Sequence, residues 1–285
     1  MNEPELVIIA GPNGSGKSSL TRDGRLTQNG IAFPERYINA DDIAKGFEQT
    51  MSGVPQVERE RAAFREARTL RQTYREDGKS FAFETVFSHP STLMDMRKCR
   101  NAGFAVTVLF VCTANAEINV ARVVGRVQEG GHHVELDTIR SRYARTMRLM
   151  PRIVEEATTA LVFDSTEERQ TRLCYRRGRY TLSDNLPHYL AAALTTPIEG
   201  RKQERTAITA QFGAVTPPNE ETGGYAGEIV WRGEHYAVQE TPGSLVQHDG
   251  LLFDALPSVT DTAPFGTNVR AVTIRYKDNA GTVEK

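Results

Sequence analysis

No apolar run in this 285-residue sequence approaches the roughly 18 residues that a membrane helix needs, so a spanning helix and a membrane partner are not expected. Cysteine is scarce. Cys99, Cys112 and Cys174 lie far apart with no C-x-x-C spacing, which argues against both a disulfide framework and a zinc site. The opening residues Met1-Asn-Glu-Pro-Glu5 are acidic and run straight into an apolar stretch, with none of the basic and apolar parts of a cleavable leader; a cytoplasmic protein is expected. Net charge is also nearly absent, at −1, but its halves differ. Residues 206–285 hold 10 Asp/Glu against 5 Lys/Arg, leaving 26 against 30 in residues 1–205. An acidic C-terminal part is a poor nonspecific binder of nucleic acid, and the basic part suits a nucleotide.

What the sequence does have is Gly11-Pro-Asn-Gly-Ser-Gly-Lys-Ser18, directly after Leu6-Val-Ile-Ile-Ala10. This is the G-x-x-x-x-G-K-[ST] phosphate-loop pattern in its proper setting, behind a short β-branched strand and ahead of a helix. Its glycines let backbone N–H groups close around an anion. Lys17 would bridge the β- and γ-phosphates and Ser18 would hold Mg²⁺.

Strand and helix patterns then alternate, predicting a parallel sheet with helical crossovers. Arg36–Asn39 reads as a short strand ending on Asp41 and Asp42; Asp41 is read as the base that takes a hydroxyl proton, and the other acid as a cap for a helix starting near Ile43. Pro55–Asp77 reads as a long helix closing at Gly78, with Ala63, Ala67, Leu70 and Tyr74 on its inner stripe. Ser80–Val86 is a strand tipped by Glu84 and Thr85, and a glutamate there is costly unless partnered or functional. The helix 92–102 and the buried strand 104–112 follow. A helix from Asn115 should face Ile118, Ala121, Val124 and Val127 inward, and another runs from Asp137 to about Glu156. Arg122, Arg126, Arg140 and Arg142 flank Gly130-Gly131, an arrangement suited to a lid over a nucleotide. His132 and His133, without further ligands at helical spacing, are weak as a metal site. Ala160–Phe163 is read as the last strand of the sheet, with Asp164–Thr166 turning away.

Four of these features in order, the phosphate loop, Asn39-Ala-Asp41-Asp42, Phe83-Glu84-Thr85, and Arg126 with Gly130-Gly131-His132 and the Ile139–Tyr143 helix, resemble the zeta toxin family of P-loop kinases over residues 1 to about 200. The resemblance implies phosphorylation of the 3′-hydroxyl of a UDP-amino sugar such as UDP-N-acetylglucosamine, with ATP (or GTP) and Mg²⁺, and a separately encoded antitoxin as partner. It implies Lys17 as the phosphate lysine, Asp41 as catalytic base, Glu84 and Thr85 as sugar contacts, and Arg126 as the lid arginine. The nucleotide-facing set is then Gly11, Pro12, Asn13, Gly14, Ser15, Gly16, Lys17, Ser18, Ser19, Arg122, Arg140 and Arg142; the substrate-facing set is Asp41, Glu84, Thr85 and His89. No fused antitoxin-like helical segment is expected, and the sequence carries Thr85-Val-Phe-Ser-His89 where longer members carry a Gly-Thr-Gly-Arg type run. Other acceptors, including a nucleic-acid 5′-hydroxyl, stay open, as does a nucleotide-dependent switch in plasmid maintenance or transfer.

Beyond residue 200 the pattern changes. A helix is expected within 181–194 and a polar connection from Thr196 through Pro218. Short strands then follow at 227–231, 236–239, 250–253 and 269–276, ending near Thr282-Val283, a small antiparallel β domain. Gly227-Glu-Ile-Val, Val238-Gln239, Val246-x-His248, Gly266, Val272-Thr-Ile-Arg-Tyr276 and Gly281-x-Val283 resemble a KfrB-type domain, found on plasmid-encoded proteins. Trp231 and Tyr236 read as packing residues and His248 as structural. The expected organisation is 1–200 kinase-like domain, 201–222 linker, 223–285 β domain.

Overall fold

β1 (Glu5–Ala10) is the axis of the larger sheet, every residue from Leu6 to Ala10 being fully buried. A strand apolar on both faces is what a parallel sheet covered by helices requires. It pairs in parallel with β3 (Phe81–Thr85) on one side and β4 (Ala105–Cys112) on the other. With β2 (Tyr37–Ile38) and β5 (Thr159–Asp164) outside these, five strands run parallel. The structure, a computed structural model, describes residues 3–22, 33–128, 134–167, 170–176, 178–253, 272–277 and 280–284.

The sheet does not stop at β5. β6 (Gln170–Arg176) and β7 (Arg179–Leu182) extend it antiparallel to the order β2-β3-β1-β4-β5-β6-β7. The expectation that residues 160–163 form the last strand is corrected here; the helix expected within 181–194 is present but starts after Pro187, residues 179–182 being strand. Gln170-Thr-Arg-Leu-Cys-Tyr-Arg176 and Arg179-Tyr-Thr-Leu182 are polar enough to escape notice because an edge hairpin needs few buried residues, chiefly Leu173 and Tyr175.

Between the strands run α1 (Lys17–Arg22), α2 (Ala40–Thr50), α3 (Gln56–Glu76), α4 (Ser91–Asn101), α5 (Ala116–Gln128) and α6 (Leu136–Glu156). α3 buries Ala63 and Ala67 and closes at Gly78, whose φ of 63° suits glycine. α5 departs from its expected phase. Its buried residues are Asn119, Val120 and Val123, whereas Ala121 is exposed and Val124 is 41% exposed. Val120 and Val123 pack with Ile139 of α6, and the polar Asn119 in the middle of the buried stripe is what misleads an apolar pattern. Gly130, Gly131, His132 and His133 lie outside the described residues.

Two compact units emerge: Met1–Ser88 with Asp95–Met147 and Ile153–Leu186, and His89–Met94 with Arg148–Arg152 and Pro187–Lys285. In the second, a short helical turn α7 (His188–Leu190) and a π-helical turn (Ala191–Thr195) lead into α8 (Thr196–Phe212). Residues 196–212 are therefore helix, not a polar connection. Pro197 is tolerated in the first turn, and the buried members Ile198, Arg201 and Ile208 recur at helical spacing, but one of them is an arginine. Glu204 on α8 accepts backbone N–H bonds from Glu234, His235 and Tyr236, pinning the turn between β8 (Gly224–Arg232) and β9 (Tyr236–Thr241).

An antiparallel sheet of order β10-β9-β8-β11-β12 completes this unit, with β10 (Ser244–Asp249), β11 (Val272–Lys277) and β12 (Ala280–Glu284). The strand expected at 250–253 is instead a 3₁₀ turn (Gly250–Leu252), capped by the Asp249 carboxylate accepting from Leu251 N–H. The true strand precedes it, hidden because its buried end is His248-Asp249. His248 is structural: its Nδ1 lies 2.7 Å from the Tyr276 hydroxyl and its Nε2 3.0 Å from Gln239 Oε1. Tyr236 is buried, and Trp231 packs beside it with Ile208 and Val238.

Candidate functional site

The register of the larger sheet places the site. Ala10, the last residue of β1, lies opposite Thr85 of β3 and Phe110 of β4, and Ile9 lies opposite Glu84. The loop that leaves β1 therefore emerges between the carboxyl ends of its neighbours, where ligands bind open α/β sheets. It turns tightly there. Gly11 has φ +145°, and a Cβ on it would stand 2.0 Å from the Val111 carbonyl oxygen; Gly14 has φ +76°, and a Cβ would meet the Asn119 carbonyl oxygen at 2.6 Å. No other residue fits these two positions.

Within the loop, Ser15 is fully buried and its N–H donates to the Pro12 carbonyl at 3.2 Å. The buried Ser15 Oγ and Asn13 Oδ1 have no hydrogen-bond partner. Buried polar atoms are seldom left so; the Ser15 hydroxyl can donate to an anion received by this loop, whereas Asn13 Oδ1 is an acceptor and calls for a donor. Lys17, buried, donates from Nζ to the Gly11 and Pro12 carbonyls at 2.8 and 3.0 Å. Burial pulls its pKa down; the Glu84 and Asp41 carboxylates oppose that and the Arg126 guanidinium adds to it. Lys17, Glu84, Asp41 and Arg126 thus share one electrostatic neighbourhood.

Asp41 is exposed in the first turn of α2, and so is Asp42, which pairs with Lys45 at 3.8 Å. Neither acid caps the helix. Asn39 does, its Oδ1 accepting the Asp41 N–H at 2.9 Å, because asparagine in extended backbone one residue ahead of the helix reaches the free donors directly. α2 accordingly starts at Ala40 and not near Ile43.

Glu84 sits against the phosphate loop. Its two oxygens lie 3.3 and 3.2 Å from Ser18 Oγ, Oε1 is 4.0 Å from Lys17 Nζ, and Oε2 accepts from the Tyr37 hydroxyl at 3.1 Å. Burial, then the neighbouring Glu84 charge, push the Tyr37 phenol's pKa well up, so it stays a donor. Thr85 Oγ1 accepts the Phe87 N–H at 3.2 Å, holding a turn in which Phe87 takes a φ of 57°.

Ser19 is exposed at the start of α1. Arg126 is exposed near the end of α5. Arg122 donates to the Ser165 and Thr166 carbonyls at 2.7 and 3.2 Å, bracing the turn after β5. Arg140 forks onto Glu117 at 2.7 and 3.1 Å and reaches Asp137 at 3.2 Å, an exposed cluster. Arg142 is half-buried on α6. His89 falls in the second unit, exposed, its Nδ1 3.0 Å from Ser91 Oγ and 3.2 Å from the Ser91 N–H.

Three residues were missed. Tyr37 and Asn39 join Glu84 in a hydrogen-bonded line, Asn39 Nδ2 reaching the Tyr37 hydroxyl at 3.4 Å; the signal was two polar residues on the same face at the end of a strand. Asn119, fully buried beneath Gly14, accepts from Thr113 Oγ1 at 2.6 Å and leaves its Nδ2 without a partner.

Comparison with known proteins agrees with this layout. Among solved structures, that of the PezAT chromosomal toxin-antitoxin system of Streptococcus pneumoniae is similar with a TM-score of 0.50 at 13% identity, over 74% of this chain and 89% of that one. A complex of AvrRxo1-ORF1 and -ORF2 with ATP gives 0.51 at 12% identity, over 77% and 68%. At such identities the likeness is one of fold. An uncharacterized protein of Haemophilus influenzae is 28% identical over 139 residues, 49% of this chain and 92% of its own length. The family model for zeta toxin matches residues 1–179, well over half of the sequence, and the chain belongs to the zeta toxin family.

Proposed function

We propose that the protein is a P-loop kinase that transfers the γ-phosphoryl group of ATP to a hydroxyl of a UDP-amino sugar, acting as the toxin of a toxin–antitoxin pair. One observation carries this: a phosphate loop bent at Gly11 and Gly14, with the buried Ser15 hydroxyl unpartnered, holds a buried Lys17 on its own Gly11 and Pro12 carbonyls. The resemblance of the loop, the Asn39-Ala-Asp41 stretch and Phe83-Glu84-Thr85 to zeta toxins supports the sugar acceptor, and the toxin–antitoxin system among its structural relatives supports a separate protein partner.

In this reading the acceptor alcohol oxygen attacks the γ-phosphorus as the bond to the β-phosphate bridging oxygen breaks, and Asp41 takes the alcohol proton late in the step. Lys17 leaves its two carbonyls for the phosphates, and Arg126 adds positive charge to the transferring group. Ser18 would hold Mg²⁺, which would supply neutralisation of phosphate charge; a half-buried hydroxyl with a carboxylate alongside is the hard-oxygen setting such an ion takes. The β sheet of the second unit is proposed as a KfrB-type recruitment or regulatory domain, with the domain limits 1–200 and 223–285 set out above.

The test is incubation with ATP, Mg²⁺, a panel of UDP-sugars and oligonucleotides with free 5′-hydroxyls, read by mass spectrometry. One added phosphate on a UDP-amino sugar, lost in Lys17→Ala, is expected. Phosphorylated oligonucleotide alone would move the acceptor class, and free phosphate alone would replace the kinase reading by a nucleotide switch.

A further inference from the structure

A threonine inside a helix commonly returns its hydroxyl proton to its own helix, and Thr69, Thr206 and Thr209 do so, donating to the carbonyls of Arg65, Lys202 and Arg205 at 3.2, 3.0 and 2.9 Å. Thr146 of α6 does not. Fully buried, it gives its one proton to the Val86 carbonyl at 3.0 Å, 60 residues away in sequence. Val86 stands in the turn that leaves β3, and the next residue, Phe87, is the sole non-glycine with a positive φ among the described residues. At a φ of 57° a bulky side chain crowds its own backbone, and such a conformation persists only where the surroundings impose it. Here it is imposed by the Thr146 bond, by the Phe87 N–H donated to Thr85 Oγ1 at 3.2 Å, and by the burial of Phe87.

The held turn lies at the carboxyl edge of the sheet, since β3 runs beside β1 with Thr85 opposite Ala10. Tyr143, on the same face of α6 as Thr146, donates its hydroxyl to the Thr113 carbonyl just past β4 at 2.7 Å. β3 and β4 flank β1, so α6 braces the exits on both sides of the strand that feeds the phosphate loop. The bond from Phe87 occupies a lone pair of Thr85 Oγ1 and leaves that hydroxyl its own proton to donate. Resting on the kinase reading, we infer that Thr146 is a positioning residue for the acceptor: acting through Val86 and the strained Phe87, it fixes the direction in which Thr85 offers its proton to the molecule that receives the phosphoryl group. Lys17 does not depend on this brace, because carbonyls of its own loop hold it. The two substrates should therefore respond differently when the brace is cut.

The experiment uses the full chain and measures separate KM values for ATP and for the acceptor that the wild type phosphorylates in the panel above. Thr146→Val keeps the size of the side chain and removes its donor. It should raise the acceptor KM by about tenfold, the worth of one hydrogen bond, with the KM for ATP unchanged. Thr146→Ser, which restores the hydroxyl, should bring the acceptor KM back toward wild type. Thr146→Cys, a weaker donor of similar size, should fall between the two and replaces the valine variant if that one does not fold. An acceptor KM at the wild-type value, whatever happens to the melting temperature or kcat, would reduce Thr146 to a packing residue and overturn the assignment; so would an ATP KM that rises as much as the acceptor's. A wild type that phosphorylates no acceptor would instead overturn the kinase reading, and this inference with it.

Discussion

Two buried clusters of cations and carboxylates, one in each unit, show opposite habits. Around the phosphate loop, Lys17 leans on backbone carbonyls, Glu84 stands 4.0 Å from it, and the Asn13 and Ser15 side-chain oxygens have no partner. In the second unit Arg152 bonds Glu220 at 2.7 and 2.9 Å and Asp249 at 2.8 Å, and Arg201 grips the same Asp249 at 2.9 and 2.8 Å. Two arginines and two acids cancel, and no side-chain atom of the four is among the unpartnered buried ones of the described residues. Burial alone would raise the Asp249 carboxyl, but Arg152 and Arg201, with the Leu251 N–H, hold it well below the ordinary range. A set of buried charges with every bond made is architecture; one with bonds left open awaits a ligand. The contrast is physical, and mutation separates it.

The largest effect should come from Asp41→Asn: phosphoryl transfer falls by about 10²- to 10⁴-fold in steady-state assays, while the melting temperature barely moves because the side chain is exposed. Asp249→Asn should do the reverse, costing about 3–5 kcal/mol in chemical denaturation by leaving buried guanidinium charge uncompensated, with ATP affinity kept. An Asp249→Asn protein as stable as wild type would dissolve the distinction. Acid sharpens it further. His248, whose pKa burial lowers to about 4, is neutral in the fold and takes a proton on unfolding, so its contribution is full above about pH 6.5 and is lost between there and about 4, roughly 3 kcal/mol in all. Stability followed down this range should fall in wild type and much less in His248→Gln; equal slopes would remove His248 as the cause. Asn39→Ala should cost about 1 kcal/mol through the lost cap of α2 and slow transfer through Asp41. The smallest change is expected for Arg140→Ala: its partners Glu117 and Asp137 are solvent-facing, so melting should be unaltered, and a large drop in rate would return Arg140 to the nucleotide.

Much of the larger sheet was legible because its signals are local. Leu6–Ala10 and Phe104–Cys112 are continuous apolar runs, and the phosphate loop needs its glycines at fixed spacing. What stayed hidden depends on partners distant in sequence. Arg201, His248 and Asp249 are polar residues in the core, and only the bonds of Asp249 to Arg201 and Arg152, and of His248 to Gln239 and Tyr276, make that affordable. A hydropathy pattern therefore missed both α8 and β10. The site divides in the same way. Lys17 and Ser18 could be read from the loop, whereas the orientation of Glu84 follows from the Ile9–Glu84 register and from Tyr37, neither of which a spacing rule contains.

Trp231 is the sole tryptophan in the sequence, and it packs with Ile208, Tyr236 and Val238, inside the second unit. Intrinsic indole fluorescence is consequently an optical reporter located in that unit, with no tryptophan in the nucleotide-binding sheet. An emission change on adding ATP would thus be a direct signal that the nucleotide is felt beyond the unit that binds it.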